Sequence, residues 1–478
     1  MKSTTEMIKP QTAENFRCDK VMFGKIRKLF FVGIGGSGMS GIAEILHNLD
    51  FEIQGSDCVA SDITAYLGNL GIGIYDSHSP NNLNDADVVV ISSAVGEDNP
   101  EVVEARRRGI PIIKRAEMLG ELMRLKFSIG VAGTHGKTTT TSMIGKIFQA
   151  GHYQPTIIVG GIVAELGTGS ALGTGEYLIA EADEYDRSFL SMFPSMAVVT
   201  NLEADHLDCY DGVDDLVNSF LTYMNRVPFY GSVIISADDE RLARLQDKIT
   251  RPYVTFGFSV DADYRALNIE QQPGRTQFAV YGRGDLLGNV ILRVTGLHNV
   301  ANALAAIAVC SELDVSFDTI ADGLRNFTGV SRRFEIVDEI NDIIVVDDYA
   351  HHPTEITATL NTAREVYDRR LIVVYQPHLF SRTRDFADEL ASALSVADKC
   401  LLTDIYPARE EPMEGITSQL IVDKAHTRGI GDFEYIGPRE NAPKVIAATA
   451  KPGDMVIIMG AGSITLIKQE VIDRLRNQ

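Results

Sequence analysis

Gly133-Thr134-His135-Gly136-Lys137-Thr138 follows an apolar run at 127–132 and precedes a threonine-rich stretch that opens with Thr139. Two glycines let backbone N–H groups turn toward one point, and a helix beginning at Lys137 aims its positive end at the same place. Phosphate is the natural occupant. Lys137 adds a point charge for β and γ phosphates, and the Thr138 hydroxyl is placed to ligate Mg²⁺, so ATP is the expected ligand. The strict GxxxxGK[ST] pattern asks for glycine at position 131, where the chain has Val131 with Gly130 one place early. The loop is an atypical member of its class.

A hydrolysable nucleotide needs hard oxygen ligands for its metal. The run at 177–180 ends in Glu181-Ala182-Asp183-Glu184, and the run at 196–200 leads into Asn201-Leu202-Glu203-Ala204-Asp205-His206-Leu207-Asp208. Either segment alone reads equally well as a solvated acidic loop. Placement at strand ends beside the phosphate loop favours metal binding.

Upstream, Gly33-Ile34-Gly35-Gly36-Ser37-Gly38 fits GxGxxG, with Asp57 19 residues beyond Gly38. That pattern brings a backbone loop close to a phosphorylated ligand and admits either a dinucleotide or the pyrophosphate of a UDP-sugar. Four more runs carry groups suited to binding or proton transfer: Gly296-Leu297-His298-Asn299, Val330-Ser331-Arg332-Arg333, Asp347-Asp348-Tyr349-Ala350-His351-His352-Pro353-Thr354-Glu355, and Gln376-Pro377-His378-Leu379-Phe380-Ser381-Arg382. Singly, Asn299 reads as a helix cap, Arg332-Arg333 as a solvated pair and His351-His352 as a helix start.

These residues must be positioned by regular elements. Apolar runs at 29–32, 51–54 and 88–92 alternate with a helical pattern at 39–48, as in a doubly wound parallel sheet. Strands at 127–132, 177–180, 196–200 and 233–236 form a second such set. Between 261 and 295 the pattern shortens to antiparallel hairpins, before a helix at 299–313. Strands at 343–347, 371–375, 400–403 and 455–459 make a third set. The expected fold is α/β in three domains: an N-terminal Rossmann-like domain (22–125), a central P-loop ATPase-like domain with a small antiparallel β extension (126–331), and a C-terminal Rossmann-like domain (332–478).

Bulk properties agree with this division. A chain of 478 residues exceeds what one core supports. Its 44 basic and 65 acidic residues give a net charge of −21, which opposes docking on nucleic acid or an anionic membrane. Neither a membrane span nor a signal peptide is evident, so a cytoplasmic location is expected. Cys18, Cys58, Cys209, Cys310 and Cys400 are scattered and odd in number, as expected of reduced, mostly buried thiols.

Taken in order, the motifs resemble the Mur ligase family, ATP-dependent amide-forming enzymes of peptidoglycan precursor synthesis. The opening GIGGSGMSGIAEIL, the run from Ser92, EADE, NLEADHLD and DDYAHHPTE are similar to the branch that joins L-alanine to the lactyl carboxylate of UDP-N-acetylmuramate. The resemblance covers residue 22 to the carboxyl terminus. It implies that Gly133, Thr134, His135, Gly136, Lys137, Thr138, Thr139, Asn299, Arg332 and Asp348 contact ATP. Thr138, Glu181 and His206 would hold Mg²⁺ at two positions. Gly35, Gly36, Ser37, Gly38, Asp57, His78, Ser92 and Ser93 would hold the UDP-sugar. Tyr349, His351, His378 and Arg382 would face the amino acid, with Lys137, Glu181, His206, His351 and Arg382 forming the catalytic set. Several siblings carry a carbamate-modified lysine after the NxxxDH motif, whereas no lysine lies between His206 and Arg226 here. The second metal position would then be completed otherwise or be weaker. Three rival readings remain: a sibling ligase that attaches a preformed peptide, an NAD-dependent oxidoreductase built on the Gly33 loop, and a non-catalytic UDP-sugar binder.

Overall fold

The computed structural model describes residues 23–92, 94–159, 170–204, 209–408 and 410–477. The expected site residues Ser93 and His206, and the side chain of Ser37, lie outside that description. The described residues fall into two compact units, those up to Met118 and those from Leu119 onward.

The first unit is built on the short strands β1 (Lys28–Val32), β2 (Glu52–Ser56), β3 (Gly73–Tyr75), β4 (Val88–Ile91) and β5 (Ile112–Lys114), in the order β3-β2-β1-β4-β5. The neighbouring β1 and β4 are apolar and largely buried, while β2, β3 and β5 have exposed positions. All four pairings are parallel. Phe30, Val32, Leu83, Val89 and Ala105 form a buried cluster on one face. This strand order places the turns after β1, β2, β3 and β4 at the carboxyl edge of the sheet, where open α/β sheets bind ligands.

The second unit holds two sheets. One runs through β6 (Phe127–Ala132), β7 (Thr156–Ile158), β8 (Ser170–Ala171), β9 (Tyr177–Glu181), β10 (Met196–Val199), β11 (Ser232–Ser236), β12 (Tyr253–Gly257), β13 (Tyr264–Gln272), β14 (Arg275–Gly282) and β15 (Asp285–Leu292). Their order is β15-β14-β13-β12-β11-β10-β6-β9-β7-β8. The antiparallel extension expected at 261–295 is β13–β15, and it continues this sheet through the parallel contact of β12 with β13 rather than standing apart. The helix Leu297–Glu312, rich in alanine and buried over most of its length, packs against β11, β12 and β13.

The other sheet contains β16 (Glu335–Ile340), β17 (Ile343–Asp348), β18 (Arg370–Tyr375), β19 (Lys399–Thr403), β20 (Phe433–Gly437) and β21 (Asp454–Met459), ordered β16-β17-β21-β18-β19-β20. Only β16 pairs antiparallel among these. Apolar clusters fill both faces, one around Val346, Leu360 and Val373 and the other around Val345, Ile372 and Val471. Each of the three sheets therefore has a core of its own. Of the described cysteines, Cys310 and Cys400 are buried but Cys58 is exposed, so burial of the thiols is less general than expected.

Candidate active site

The phosphate loop leaves β6 at Gly133, whose φ of 129° lies in the left-handed region. A Cβ there would sit 2.0 Å from Thr200 Oγ1, so glycine is required by close approach as well as by backbone angle. Asn201, at the end of β10, fixes the loop from the side: its Oδ1 accepts from His135 N at 2.8 Å, and its Nδ2 donates to His135 O at 3.1 Å. Gly136 (φ 84°) then starts the helix Lys137–Ala150, with no side-chain cap on its first N–H groups. Uncapped N–H groups at a helix start suit an anion.

Lys137 does not point into open space. Its Nζ donates to Gly133 O at 2.7 Å and to Glu184 Oε2 and Oε1 at 2.8 and 3.0 Å. Glu184 is 1% exposed. Burial lowers the affinity of the lysine for its proton, but the negative charges of Glu184, Asp183 and Glu181 outweigh that and hold its pKa above the usual value. Burial pushes the Glu184 carboxyl up to about 7, against the pull of Lys137. In the sequence Glu184 was one acid among several in EADE. Its burial is a tertiary fact that nothing in the local pattern announces.

One cavity of about 600 Å³ gathers groups from both sheets of the second unit. Lys137, Thr138, Glu181 and Asp183 line it from the phosphate-loop side, and Arg332, Tyr349, His351, His378 and Arg382 from the third sheet. Every described member of the expected catalytic set therefore meets here; His206 lies outside the described residues. The Thr138 hydroxyl and the Glu181 carboxylate bring hard oxygen donors to one wall, a donor set that fits Mg²⁺. A neighbouring cavity of about 200 Å³ is lined by Thr139, Phe256, His298, Asn299 and Asp348 and shares His135, Gly136, Thr138 and Glu355 with the larger one. Burial and the Arg333 charge lower the pKa of His298 to about 4, leaving a neutral ring there.

The DDYAHHPTE run is a strand end followed by a helix start. Asp348 closes β17, and its buried carboxylate accepts from Phe334 N at 2.6 Å and Ala350 N at 2.7 Å. Burial pushes its pKa up to about 6 in spite of the Ala350 amide and Arg333. His352 caps the helix Pro353–Val366, and Glu355 reaches back to the cap backbone, completing a capping box with Pro353 in the first turn. The helix-start reading thus holds for His352, which is 5% exposed, while His351 faces the larger cavity. His351 Nδ1 lies 3.1 Å from Tyr349 O and 3.2 Å from Glu355 Oε2, which makes Nδ1 the protonated nitrogen.

Glu355 does more than cap. Its Oε1 lies 3.2 Å from His135 Nδ1, and the other ring nitrogen of His135 lies 3.5 Å from Glu203 Oε2. Burial disfavours the charged ring, but the two carboxylates outweigh it and raise the pKa of His135 to about 9. Glu355 itself is held well below the usual carboxylate range, since His351 and His135 overcome its burial. The phosphate loop is thereby tied to the third sheet. His135, Glu203 and His352 also bring one potential metal donor each within 4.8 Å of one another. Two carboxylates already flank the His135 ring, so an imidazolium bridge accounts for the cluster. The spacing His352-x-x-Glu355 before a helical run is the one sequence signal that could have drawn attention to Glu355.

Other expected contacts sit less simply. Arg332 (φ 59°) donates from its NH2 to Gly460 O at 2.6 Å and lies over the Tyr349 ring at 4.8 Å. Asn299 is no helix cap: its Nδ2 donates to Thr295 O at 2.7 Å from within the first turn of Leu297–Glu312. His378 stacks on Tyr406, with Arg382 NH1 3.5 Å from its Nδ1.

In the first unit, Gly33 (φ 77°) turns the chain after β1, and the N–H groups of Gly33 and Ile34 both donate to Ser56 O. Asp57 Oδ2 accepts from Gly35 N at 2.8 Å and Oδ1 from Val59 N at 3.0 Å, so this acid braces the glycine loop. A Cβ at Gly35 would meet Asp57 Oδ2 at 2.8 Å, and one at Gly38 would meet Arg115 at 3.0 Å, whereas Gly36 has more room. Ser92 Oγ stands 3.3 Å from the position of a Cβ on Gly33. His78, after β3, completes the carboxyl edge.

Comparison with known proteins adds to this geometry. Three family models match in order: Mur ligase family, catalytic domain, over residues 28–127; Mur ligase middle domain over 131–310; and Mur ligase, glutamate ligase domain, over 332–462. A UDP-N-acetylmuramate--L-alanine ligase of Geotalea daltonii is 47% identical, covering 95% of this chain and 99% of that protein. One from Salinibacter ruber is also 47% identical, covering 95% and 96%. Among solved structures, UDP-N-acetylmuramate-alanine ligase MurC of Thermotoga maritima is 31% identical with a TM-score of 0.79, covering 94% of this chain and 99% of its own. A murein peptide ligase of Psychrobacter arcticus is 28% identical with a TM-score of 0.68, covering 95% and 99%. With family models over all three sheets and relatives matched along almost their whole length, the chain belongs to the Mur ligase family.

Proposed function

We propose that this chain joins L-alanine to the lactyl carboxylate of UDP-N-acetylmuramate, with ATP converted to ADP and phosphate, as a cytoplasmic step of peptidoglycan precursor synthesis. The observation that carries the reading is the single cavity in which Lys137, Thr138 and Glu181 face His351, His378 and Arg382. The names of relatives 47% identical over nearly full length supply the substrates. The working domains are 22–125 for the sugar nucleotide, 126–331 for ATP and 332–478 for amino acid and further ATP contacts.

A carboxylate does not acylate an amine in water, because its leaving group would be oxide or hydroxide. Phosphorylation changes the leaving group. The lactyl carboxylate attacks the γ-phosphorus in line, its new C–O–P bond forming as the bond to ADP breaks. Lys137 and the loop N–H groups stabilise charge on the transferring phosphoryl. Thr138 and Glu181 would hold Mg²⁺, which supplies charge neutralisation at the phosphates. The adenine and ribose would occupy the smaller cavity, which His298, Asn299 and Asp348 line.

The amine of L-alanine then attacks the acyl phosphate, and inorganic phosphate departs from the tetrahedral species. Its ammonium must first lose a proton. With Nδ1 of His351 committed to Tyr349 O and Glu355, Nε2 is the nitrogen that takes this proton. Arg382 receives the carboxylate of the amino acid, a planar fork for a planar anion. Ser37, Asp57, His78, Ser92, Ser93 and the glycine loop hold the sugar nucleotide, and His206 serves a second metal position.

The test is inorganic phosphate release from ATP with UDP-N-acetylmuramate, compared across L-alanine, glycine, L-serine and a tripeptide. L-Alanine should support the fastest release. Activity confined to the tripeptide would replace this reading with that of a peptide-attaching sibling.

A further inference from the structure

Among the described residues of the first unit, Glu101 is the one carboxylate that is fully buried, and none of the roles above uses it. It lies in the first turn of the helix Pro100–Arg108, whose cap is Asn99 and whose first position is proline. The carboxylate is surrounded by donors. Oε1 accepts from Asn82 Nδ2 at 2.8 Å and from Ser79 N at 3.3 Å. Oε2 accepts from Ser56 Oγ at 2.6 Å and lies 2.9 Å from His78 Nδ1.

That constellation fixes the imidazole. An ionised carboxylate only accepts, so the ring nitrogen facing it must donate, and Nδ1 carries the proton. Ser56 Oγ, 3.0 Å from the same nitrogen, has already given its proton to Oε2 and can only accept from Nδ1. Nε2 is left on the side of the ring away from Glu101. His78 is partly exposed, with 24% of its side chain accessible, while Glu101 shows none. His78 follows β3, at the same edge of the sheet as the Gly33 loop, Asp57 and Ser92.

We propose that Glu101 is a positioning residue for the sugar-nucleotide site: with Ser56 it holds His78 in one orientation and one tautomer, so that Nε2 is presented to the bound UDP-sugar. The inference rests on the reading of His78 as a contact of that substrate. A carboxylate behind an imidazole sets its tautomer and ring plane without touching the ligand. The site is built before the ligand arrives, which reduces the ordering that binding would otherwise require.

Glu101→Gln is a sharp test because the surrounding donors dictate how the amide sits. Asn82 and Ser79 N both donate toward Oε1, so the glutamine oxygen takes that place and its NH₂ faces His78 Nδ1. The proton of the ring must then move to Nε2. In Glu101→Gln the KM for UDP-N-acetylmuramate should rise roughly tenfold, with kcat and the KM values for ATP and L-alanine within twofold of wild type. Adding Glu101→Gln to His78→Ala should produce no further change. Additive losses, or a KM for ATP that rises in step, would mean a structural role and overturn the inference. Two-bond ¹⁵N–¹H spectra of the full-length protein provide a readout independent of turnover and of the variant's stability. They should show His78 as the Nδ1–H tautomer in the wild type, and an Nε2–H tautomer there overturns the proposal. If His78→Ala leaves the KM for the sugar nucleotide unchanged, the reading of His78 as a contact fails. If His78→Ala raises it but Glu101→Gln does not, the inference about Glu101 alone fails.

Discussion

Lys137 and Arg382 carry charges that differ in what they must match. In the proposed reaction the ammonium of Lys137 would face a transferring phosphoryl whose charge is spread over several oxygens, so a point charge serves. Lys137→Ala should lower turnover by roughly 10²-fold or more, as for removal of one preorganised charge-stabilising donor, in an assay of phosphate release. A near-normal rate would remove Lys137 from the mechanism. Arg382 is 7% exposed and, in the proposed reaction, would face the carboxylate of the amino acid, where two parallel N–H groups can act together. Arg382→Lys keeps the charge but loses the fork, and the KM for L-alanine should rise about tenfold while that for ATP stays constant. Much of this residue set was legible in the sequence, because Gly-Lys-Thr after a strand has few other uses. The partners were not. Glu184, Glu203, Glu355 and Glu101 look like any surface acid until the chain folds around them, and burial depends on contacts far away in sequence.

The elements that deliver these residues were legible in proportion to how apolar they are. β4, β10 and β21, nearly all valine, isoleucine and methionine, are hydrophobic on both faces and stood out as central strands. β3, β5, β7 and β8 have only two or three residues each, and β20 is half exposed, so no periodicity could develop in them. The start of the helix Pro353–Val366 joins two elements through His135. Its ring is raised from 6.5 to about 9 by Glu203 and Glu355, which prevail over burial. A group whose folded pKa lies above its unfolded value contributes stability that is fully present below the unfolded pKa and disappears as pH rises through the folded one. The tie should therefore be intact below about pH 6.5 and lost progressively toward and beyond pH 9. Thermal unfolding of the wild type should lose stability over that interval relative to His135→Gln, and parallel curves for the two proteins would refute the bridge.

At the scale of the whole chain, a net charge of −21 surrounds a site that must admit ATP and a sugar nucleotide. Local groups, not the general field, capture these anions. Water would hydrolyse an acyl phosphate, so chemistry must wait until the site is closed. The segments near residues 126 and 333 are the hinges expected of this arrangement. Small-angle scattering should show compaction when an ATP analogue and UDP-N-acetylmuramate are present together. An unchanged radius of gyration with both bound would exclude closure of that kind.

The pairing of Lys137 with Glu184 has a consequence for how nucleotide is admitted. The lysine of the phosphate loop already has a carboxylate partner, Glu184 from the segment after β9, while the loop carbonyls of Gly133 and Thr134 accept from the same ammonium. Entry of ATP is thus an exchange of counter-ions, in which the incoming phosphates gain the lysine only to the extent that they outcompete a carboxylate already in place. A triphosphate brings more charge and more contacts to that exchange than a lone phosphate does. The exchange thus weighs the charge and contacts of the incoming anion against those of Glu184.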